Sequence, residues 1–241
     1  MEYTEARERM IRHQLLPRGL NAPKVIGAFR AVDRRQFVSA GLSPRAVYAD
    51  ARCSLGKGRW LEAPAVAAQI LTYLNISPGC RVLEVGTGSG YTAALLVAMG
   101  AVVTTIEKEA ELARQAAVRL RDWMACRVES PVLESQACES TGGAKALEIE
   151  APEETPSQGS VCWHTGDGRQ GWPESGPYDR IWLSGGVMSI DAVWPTQLHL
   201  QGFMLAPLGP PINQRLMRLH RAPAAGPQMK SLGPCRFEML D

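Results

Sequence analysis

The sequence predicts an α/β fold: a mostly parallel, doubly wound sheet with an antiparallel C-terminal strand pair and extra N-terminal helices. Three observations carry this. A β-type run, Arg81 to Val85, passes through a glycine-rich turn into a helix-like stretch at 91–99, and a second β-type run follows at 102–106. Further β-type runs at 161–164, 179–184 and 202–208 alternate with turns and helical stretches, the pattern of parallel strands joined by crossovers. The segments 214–221 and 235–240 then read as closing strands that pair antiparallel.

The bulk properties set outer limits. A chain of 241 residues can bury a full core and is expected to form one domain with an elaboration. Within it, 1–63 read as an N-terminal helical part that ends in an acceptor loop, 64–123 and 161–241 as the core, and 124–160 as an insertion. Hydrophobic content of 45% is ordinary for a globular protein, and net charge +2 argues against a dominant polyanionic partner. There is no run of 18 apolar residues, so no membrane span is expected, and residues 1–9 lack an apolar signal core. Six cysteines (53, 80, 126, 138, 162, 235) show neither a C-x-x-C pair nor zinc-type spacing with histidine. The expectation is a cytoplasmic, metal-free protein with reduced, buried thiols.

Taken in order, residues 4–16 read as a polar helix with Met10, Ile11 and Leu15 on one side. Arg7, Arg9, Arg12 and His13 make either a contact for a substrate or nucleic acid, or a plain solvated face. Asn21 is the expected N-cap of a second helix, with Pro23 in its first turn and Val25, Ile26, Phe29 and Val32 as the apolar stripe. Residues 46–63 read as irregular, with glycines at 56 and 58. Pro64 opens a strongly apolar helix over 65–74. After Glu107 a helix is expected over 108–123, with Leu112, Ala116 and Leu120 at helical spacing. Residues 124–160 hold seven acids against Arg127 and Lys145, which leaves the rest of the chain near +7. They read as an inserted, largely mobile loop: an acidic flap over a basic surface, or a tolerated surface insertion.

The chemistry centres on the turn Glu84-Val85-Gly86-Thr87-Gly88-Ser89-Gly90. Glycines let the backbone turn sharply and come close to a ligand. Glu107 falls about 20 residues past the first glycine, where an acid accepts hydrogen bonds from ribose hydroxyls. The G-x-G-x-G spacing, preceded by Glu84, resembles the nucleoside loop of S-adenosylmethionine (SAM) methyltransferases rather than the G-x-G-x-x-G of dinucleotide sites. The strand at 161–164 delivers Thr165-Gly166-Asp167-Gly168 to the same edge of the sheet, so Asp167 is placed to reach the exocyclic amine of adenine. The expected cofactor residues are Glu84, Gly86, Thr87, Gly88, Ser89, Gly90, Glu107, Lys108, Gly166, Asp167 and Gly168.

Several stretches together resemble one family, the protein-L-isoaspartate O-methyltransferases. They are Met10-Ile11-x-His13-Gln14-Leu15 with Arg18-Gly19, Arg34-x-x-Phe37-Val38, Tyr48-x-Asp50, Gly56-x-Gly58 and Pro64. The glycine loop continues through Tyr91-Thr92-Ala93. Beyond the insertion come Gly166-Asp167-Gly168-x-x-Gly171-Trp172-Pro173, Pro177-Tyr178-Asp179-Arg180-Ile181, Gln197-Leu198, Pro207-Leu208-Gly209 and Arg236-Phe237. The resemblance implies a Rossmann-like SAM-dependent methyltransferase fold. It also implies methyl transfer to the carboxylate of isoaspartyl residues, with a protein or peptide as the substrate.

One stretch departs from the family. After Gly-x-Gly the family typically reads Gln-Thr-Ile-Ser-x-Pro, and its threonine and serine belong to the active site. This chain reads Arg59-Trp60-Leu61-Glu62-Ala63-Pro64. Arg59, Trp60 and Glu62 are therefore the candidate catalytic residues: Arg59 to clamp an anion, Trp60 to stack on a planar ligand, Glu62 in the serine position. An ionised Glu62 offers only acceptors and a like charge, and so opposes a carboxylate acceptor. It can instead bind an amine, serve a hydroxyl as general base, or point at Arg59 or solvent. Alternatives left open are a changed acceptor, including a small molecule, and a non-catalytic SAM-binding module. A nucleic-acid methyltransferase is the weakest reading, since the chain lacks an Asn-Pro-Pro-Tyr-type motif.

Overall fold

The computed structural model describes residues 2–56, 58–126, 159–221 and 228–240. The N-terminal part is helical. Helix α1 (Tyr3–Met10) continues through a wider turn, Ile11–Leu15, and a tighter one, Leu16–Arg18, and ends at Gly19 with φ 74°. Met10, Ile11 and Leu15 are buried, as their spacing predicts. Helix α2 (Pro23–Ala31) starts one residue later than expected: Ala22 is the N-cap, Asn21 caps nothing, and Pro23 occupies the first turn. Its stripe Val25, Ile26, Phe29 and Val32 is buried. A short helix α3 (Pro44–Val47) follows.

Residues 46–63 are more ordered than their composition implies. Strands β1 (Cys53–Gly56) and β2 (Arg59–Leu61) form a separate antiparallel hairpin, with Ser54 opposite Trp60. Helix α4 (Pro64–Leu74) comes next. No side chain of its own caps it; Asp50 Oδ1 instead accepts from the Ala65 amide at 3.2 Å. Its last carbonyls are met by arginines from the sheet. Arg180 Nε donates to the Leu74 carbonyl at 2.7 Å, and Arg218 donates to that of Tyr73. Cations at a helix C-terminus complement its dipole.

The central unit is as read: β3 (Arg81–Val85), α5 (Tyr91–Ala98), then β4 (Val102–Glu107). Gly100, just past α5, has φ 90°. Helix α6 (Ala110–Ala125) starts and ends two residues beyond the expected 108–123, so the insertion cannot begin at 124. Of the insertion expected at 124–160, residues 127–158 lie outside the described residues. Then come β5 (Ser160–Thr165), β6 (Tyr178–Leu183), the short α7 (Val193–Thr196) and β7 (Leu198–Leu208), which is longer than the expected 202–208 and takes in Leu198. The closing pair is β8 (Gln214–His220) with β9 (Gln228–Cys235). The expected strand at 235–240 is therefore a correction. These residues turn back over the sheet edge, where Met239 bridges to Gly186. Gln214 Oε1 accepts from the Phe237 amide at 2.6 Å and draws the chain out of strand register.

The seven-stranded sheet has the order β5-β4-β3-β6-β7-β8-β9. Strands β5, β4, β3, β6 and β7 are parallel, and β8 and β9 are antiparallel additions. Chain order runs outward on both sides of β3, so β3 and β6 flank the point where ligands bind in such sheets, beyond the strands' carboxyl ends. Side chains alternate between two apolar layers. Val82, Val103, Trp182 and Phe203 pack in one, against α1, α2, α4 and α5, while Leu83, Ile106, Ile181 and Met204 pack in the other. Cys53 and Cys80 are buried, whereas Cys126 is exposed, against expectation.

Candidate active site

A cavity of about 380 Å³ opens at the carboxyl ends of β3, β4, β5 and β6. Gly86 and Gly88 form one wall. The loop is pinned to β4, because the Ile106 carbonyl accepts from the Gly86 amide at 2.8 Å and the Thr87 amide at 3.2 Å. Gly86 has φ 91°, and a Cβ there would stand 2.3 Å from Ser184 Oγ. That hydroxyl is itself engaged, lying 2.9 Å from the Val85 carbonyl oxygen and 2.5 Å from that of Gly86. Gly88 has φ 56°, and a Cβ there would meet no atom within 4 Å.

Glu107 ends β4 and lines the same cavity. Its two oxygens accept from the amides of Gly88 at 2.9 Å and Glu109 at 3.1 Å. A carboxylate oxygen has lone pairs to spare after one such bond. Asp167 and Gly168 reach the cavity from beyond β5, and Lys108 from beyond β4. Asp167 is paired with Arg169 through Nε at 2.8 Å, and that hydrogen bond holds its carboxyl below the ordinary range. Gly168 is needed where it stands: a Cβ would lie 2.3 Å from Val85 Cγ1, and the buried indole of Trp194 donates to the Gly168 carbonyl at 3.0 Å. Val85, Ile106, Leu112, Val187 and Trp194 supply apolar wall.

Five expected cofactor residues stand elsewhere. Glu84 is 0% exposed and does not reach the cavity. Its Oε2 accepts from the Thr105 hydroxyl at 2.8 Å, and Thr105 lies 2.7 Å from the Thr87 hydroxyl. Glu84 Oε1 has no hydrogen-bond partner among the described residues. Burial pushes this carboxyl up to about 8, so it is neutral at pH 7 and braces the loop from behind. Gly90 is the N-cap of α5 with φ 86°, packed against Leu120. Gly166 does not line the cavity. Ser89 lines only a smaller adjoining cavity of about 70 Å³, as does Thr87.

The hairpin closes the other end of the main cavity with Leu55, Arg59 and Trp60. Trp60 is 45% exposed and also borders the small cavity. Glu62 lines the small cavity and not the main one. Arg52 holds it, with Nε donating to Oε2 at 3.0 Å.

Sequence reasoning missed further lining residues: Ser184, Gly185, Val187, Met188, and Glu238 to Leu240. Gly185 and Gly186 at the tip of β6 were the available signal. For the 238–240 segment and for Arg52 there was none. Among the described residues no cluster of three His, Cys, Asp or Glu side chains could hold a metal ion, and no helix is long and apolar enough to cross a membrane.

Known proteins resemble this chain in sequence and in fold. A protein-L-isoaspartate O-methyltransferase from Methylorubrum extorquens is 34% identical over 236 residues, 98% of this chain and 88% of that protein. One from Pelotomaculum thermopropionicum is 33% identical over 234 residues, 97% and 87% of the two chains. A solved protein-L-isoaspartate O-methyltransferase structure superposes with TM-score 0.75 at 20% identity, covering 98% of this chain and 66% of that one. A Plasmodium falciparum structure assigned to the same kind of enzyme, holding S-adenosyl-L-homocysteine, superposes with TM-score 0.73 at 17% identity and covers 100% and 99% of the two chains. Residues 5–240 match the family described as Protein-L-isoaspartate(D-aspartate) O-methyltransferase, and the chain belongs to that family.

Proposed function

We propose that the protein is a SAM-dependent methyltransferase that esterifies the stray carboxylate of isoaspartyl residues in proteins or peptides. One observation carries this: a single cavity joins the glycine loop, Glu107 and Asp167 to the Arg59–Trp60 hairpin. The wall chemistry fits the cofactor. Gly88 leaves open space that a Cβ would fill, Glu107 retains lone pairs for ribose hydroxyls, and Asp167 presents an acceptor to an adenine amine. Gly86, Gly88, Glu107, Lys108, Asp167 and Gly168 would hold it, with Glu84, Thr87, Ser89 and Gly90 shaping the loop.

SAM supplies, when bound, an electrophilic methyl group on a cationic sulfur. The chain's own work is positional. An ionised carboxylate is already a nucleophile, so the hairpin has only to hold it about 3–3.5 Å from the methyl carbon and in line with the bond that breaks. No side chain has to take a proton. Arg59 offers a cationic donor on the acceptor side, and Trp60 covers the mouth and limits water. In this reading the core, 64–123 and 161–241, carries the cofactor and 1–63 carry the acceptor site, in a cytoplasmic enzyme.

The exposed ring of Trp60 favours one second reading, a planar small-molecule acceptor on the same cofactor site. The test combines SAM calorimetry with radiolabelled methyl transfer to an isoaspartyl peptide and to its normal aspartyl counterpart. Binding with transfer to the isoaspartyl peptide alone is expected. Binding without transfer would move the reading to another acceptor or to a non-catalytic module, and no binding would overturn it.

A further inference from the structure

Position 62 is where the hairpin should repel an anionic acceptor, and the fold supplies a counterweight. Arg52, immediately before β1, grips Glu62 with a fork: Nε donates to Oε2 at 3.0 Å and Nη2 lies 3.0 Å from Oε1. The two side chains are 31% and 20% exposed, so the pair is largely removed from water. Arg52 also donates to the Arg236 carbonyl, which ties the hairpin to the residues after β9. A second guanidinium, that of the buried Arg34, donates to the Glu62 carbonyl at 2.7 Å. The charged groups facing the Glu62 carboxylate are thus Arg52, Arg34 and Glu238, and Cys235 is a neighbouring thiol. Burial raises the Glu62 carboxyl above its ordinary range, and Arg52 opposes that rise.

The location is what makes the pair matter. Glu62 lines the small cavity, which shares Trp60, Gly86, Gly88 and Ser184 with the main one. An acceptor seated beside the glycine loop would lie within reach of this charge. An amine acceptor would need the Glu62 charge for itself, and a hydroxyl would need its lone pairs as a base. The two-point pair with Arg52 offsets that charge and takes one lone pair on each oxygen, which leaves Glu62 a weaker anion and a weaker base.

We propose that Arg52 is a specificity-determining positioning residue: by pairing with Glu62 it cancels the charge at the acceptor pocket and lets a carboxylate, rather than an amine or a hydroxyl, sit there. The inference rests on the methyl-transfer reading above. It predicts effects of opposite sign at the two partners. Removing Arg52 leaves a like charge facing the acceptor, and removing Glu62 leaves an unpaired guanidinium that attracts it.

The test is steady-state kinetics on an isoaspartyl peptide for the natural protein, Arg52→Gln, Glu62→Gln and the double variant, with SAM affinity measured by calorimetry. Arg52→Gln should raise KM for the peptide about tenfold or more at neutral pH, with kcat and SAM affinity little changed. That defect should shrink as the pH falls and Glu62 takes up a proton. Glu62→Gln should lower KM, roughly threefold, without that pH dependence, and the double variant should return within roughly threefold of the natural KM. If both single variants raise KM, or the double variant is worse than either, the pair merely holds the hairpin and the inference fails. Should Arg52→Gln not fold, the Glu62→Gln and double variants still decide. Transfer by the natural protein with KM unmoved in every variant would sink this inference alone. No transfer by the natural protein to any isoaspartyl peptide would sink the underlying reading with it.

Discussion

Gly88 and Gly86 stand two residues apart on one loop, yet alanine should affect them differently. At Gly88 a Cβ meets no protein atom within 4 Å, so the fold bears only the conformational cost of a side chain at φ 56°. That cost is about 1–2 kcal/mol. For a chain of this size it lowers Tm by ~2–8 °C. The added methyl group projects into the cavity, and overpacking a bound ligand costs about 1–3 kcal/mol, or ~5- to 150-fold in affinity. At Gly86 the same change places Cβ 2.3 Å from Ser184 Oγ and 3.3 Å from Leu240 Cδ2, so the fold itself suffers. Its stability loss should exceed that of Gly88→Ala by about 1 kcal/mol or more. Gly41, with φ 86° and no atom within 4 Å of a Cβ, does not line the cavity and serves as the control. Thermal unfolding and SAM calorimetry on the three variants give the answer. Lowered Tm with unchanged SAM affinity in Gly88→Ala would refute the assignment of this wall to the cofactor. An equal affinity loss in Gly41→Ala would show that the effect is one of general stability.

Other consequences can be checked separately. The folded chain holds the Glu84 proton up to about pH 8, whereas an unfolded glutamate releases it near 4.3, so stability should fall as pH rises between those values, by at most ~1.4 kcal/mol per pH unit. Glu84→Gln should flatten that part of a Tm-against-pH curve while leaving SAM affinity intact. Glu107→Gln removes the carboxylate that accepts from the Gly88 amide at 2.9 Å, and calorimetry should show SAM affinity lowered by roughly 10- to 100-fold. Arg34→Met strands the Val47 and Glu62 carbonyls, which now accept at 3.1 and 2.7 Å, and urea unfolding should show a loss of about 2–5 kcal/mol.

The sequence made the unit from Arg81 to Glu107 legible because its signals are local. A buried strand, a positive-φ turn and a helix stopped by Gly100 each follow from adjacent residues. Asp167 and Gly168 were legible because a strand that precedes a turn must deliver it to the carboxyl edge. Glu84 was misread for the opposite reason. Along β3 alternate side chains face opposite layers, and whether a buried polar one meets ligand or protein depends on β4, where Thr105 stands opposite it. The β1–β2 hairpin was hidden because Gly56 and Gly58 read as loop, although both adopt positive φ in a tight turn between short strands. Partners such as Arg52 for Glu62 are set by the pairing of hairpin strands and carry no spacing rule.

The segment after β9 has a consequence for how the protein is made and handled. Glu238, Met239 and Leu240 are a wall of the main cavity, held by reciprocal backbone bonds, with the Gly186 amide donating to the Glu238 carbonyl at 2.5 Å and the Leu240 amide to the Gly186 carbonyl at 2.8 Å. The glycine loop is translated about 150 residues before the wall that faces it, so the cavity lacks that wall until residue 240 has been made. Before that point cofactor can do little to stabilise the chain, whose earlier part must fold on packing alone. For the same reason a trypsin cut after Arg236 should impair cofactor retention while leaving the sheet folded.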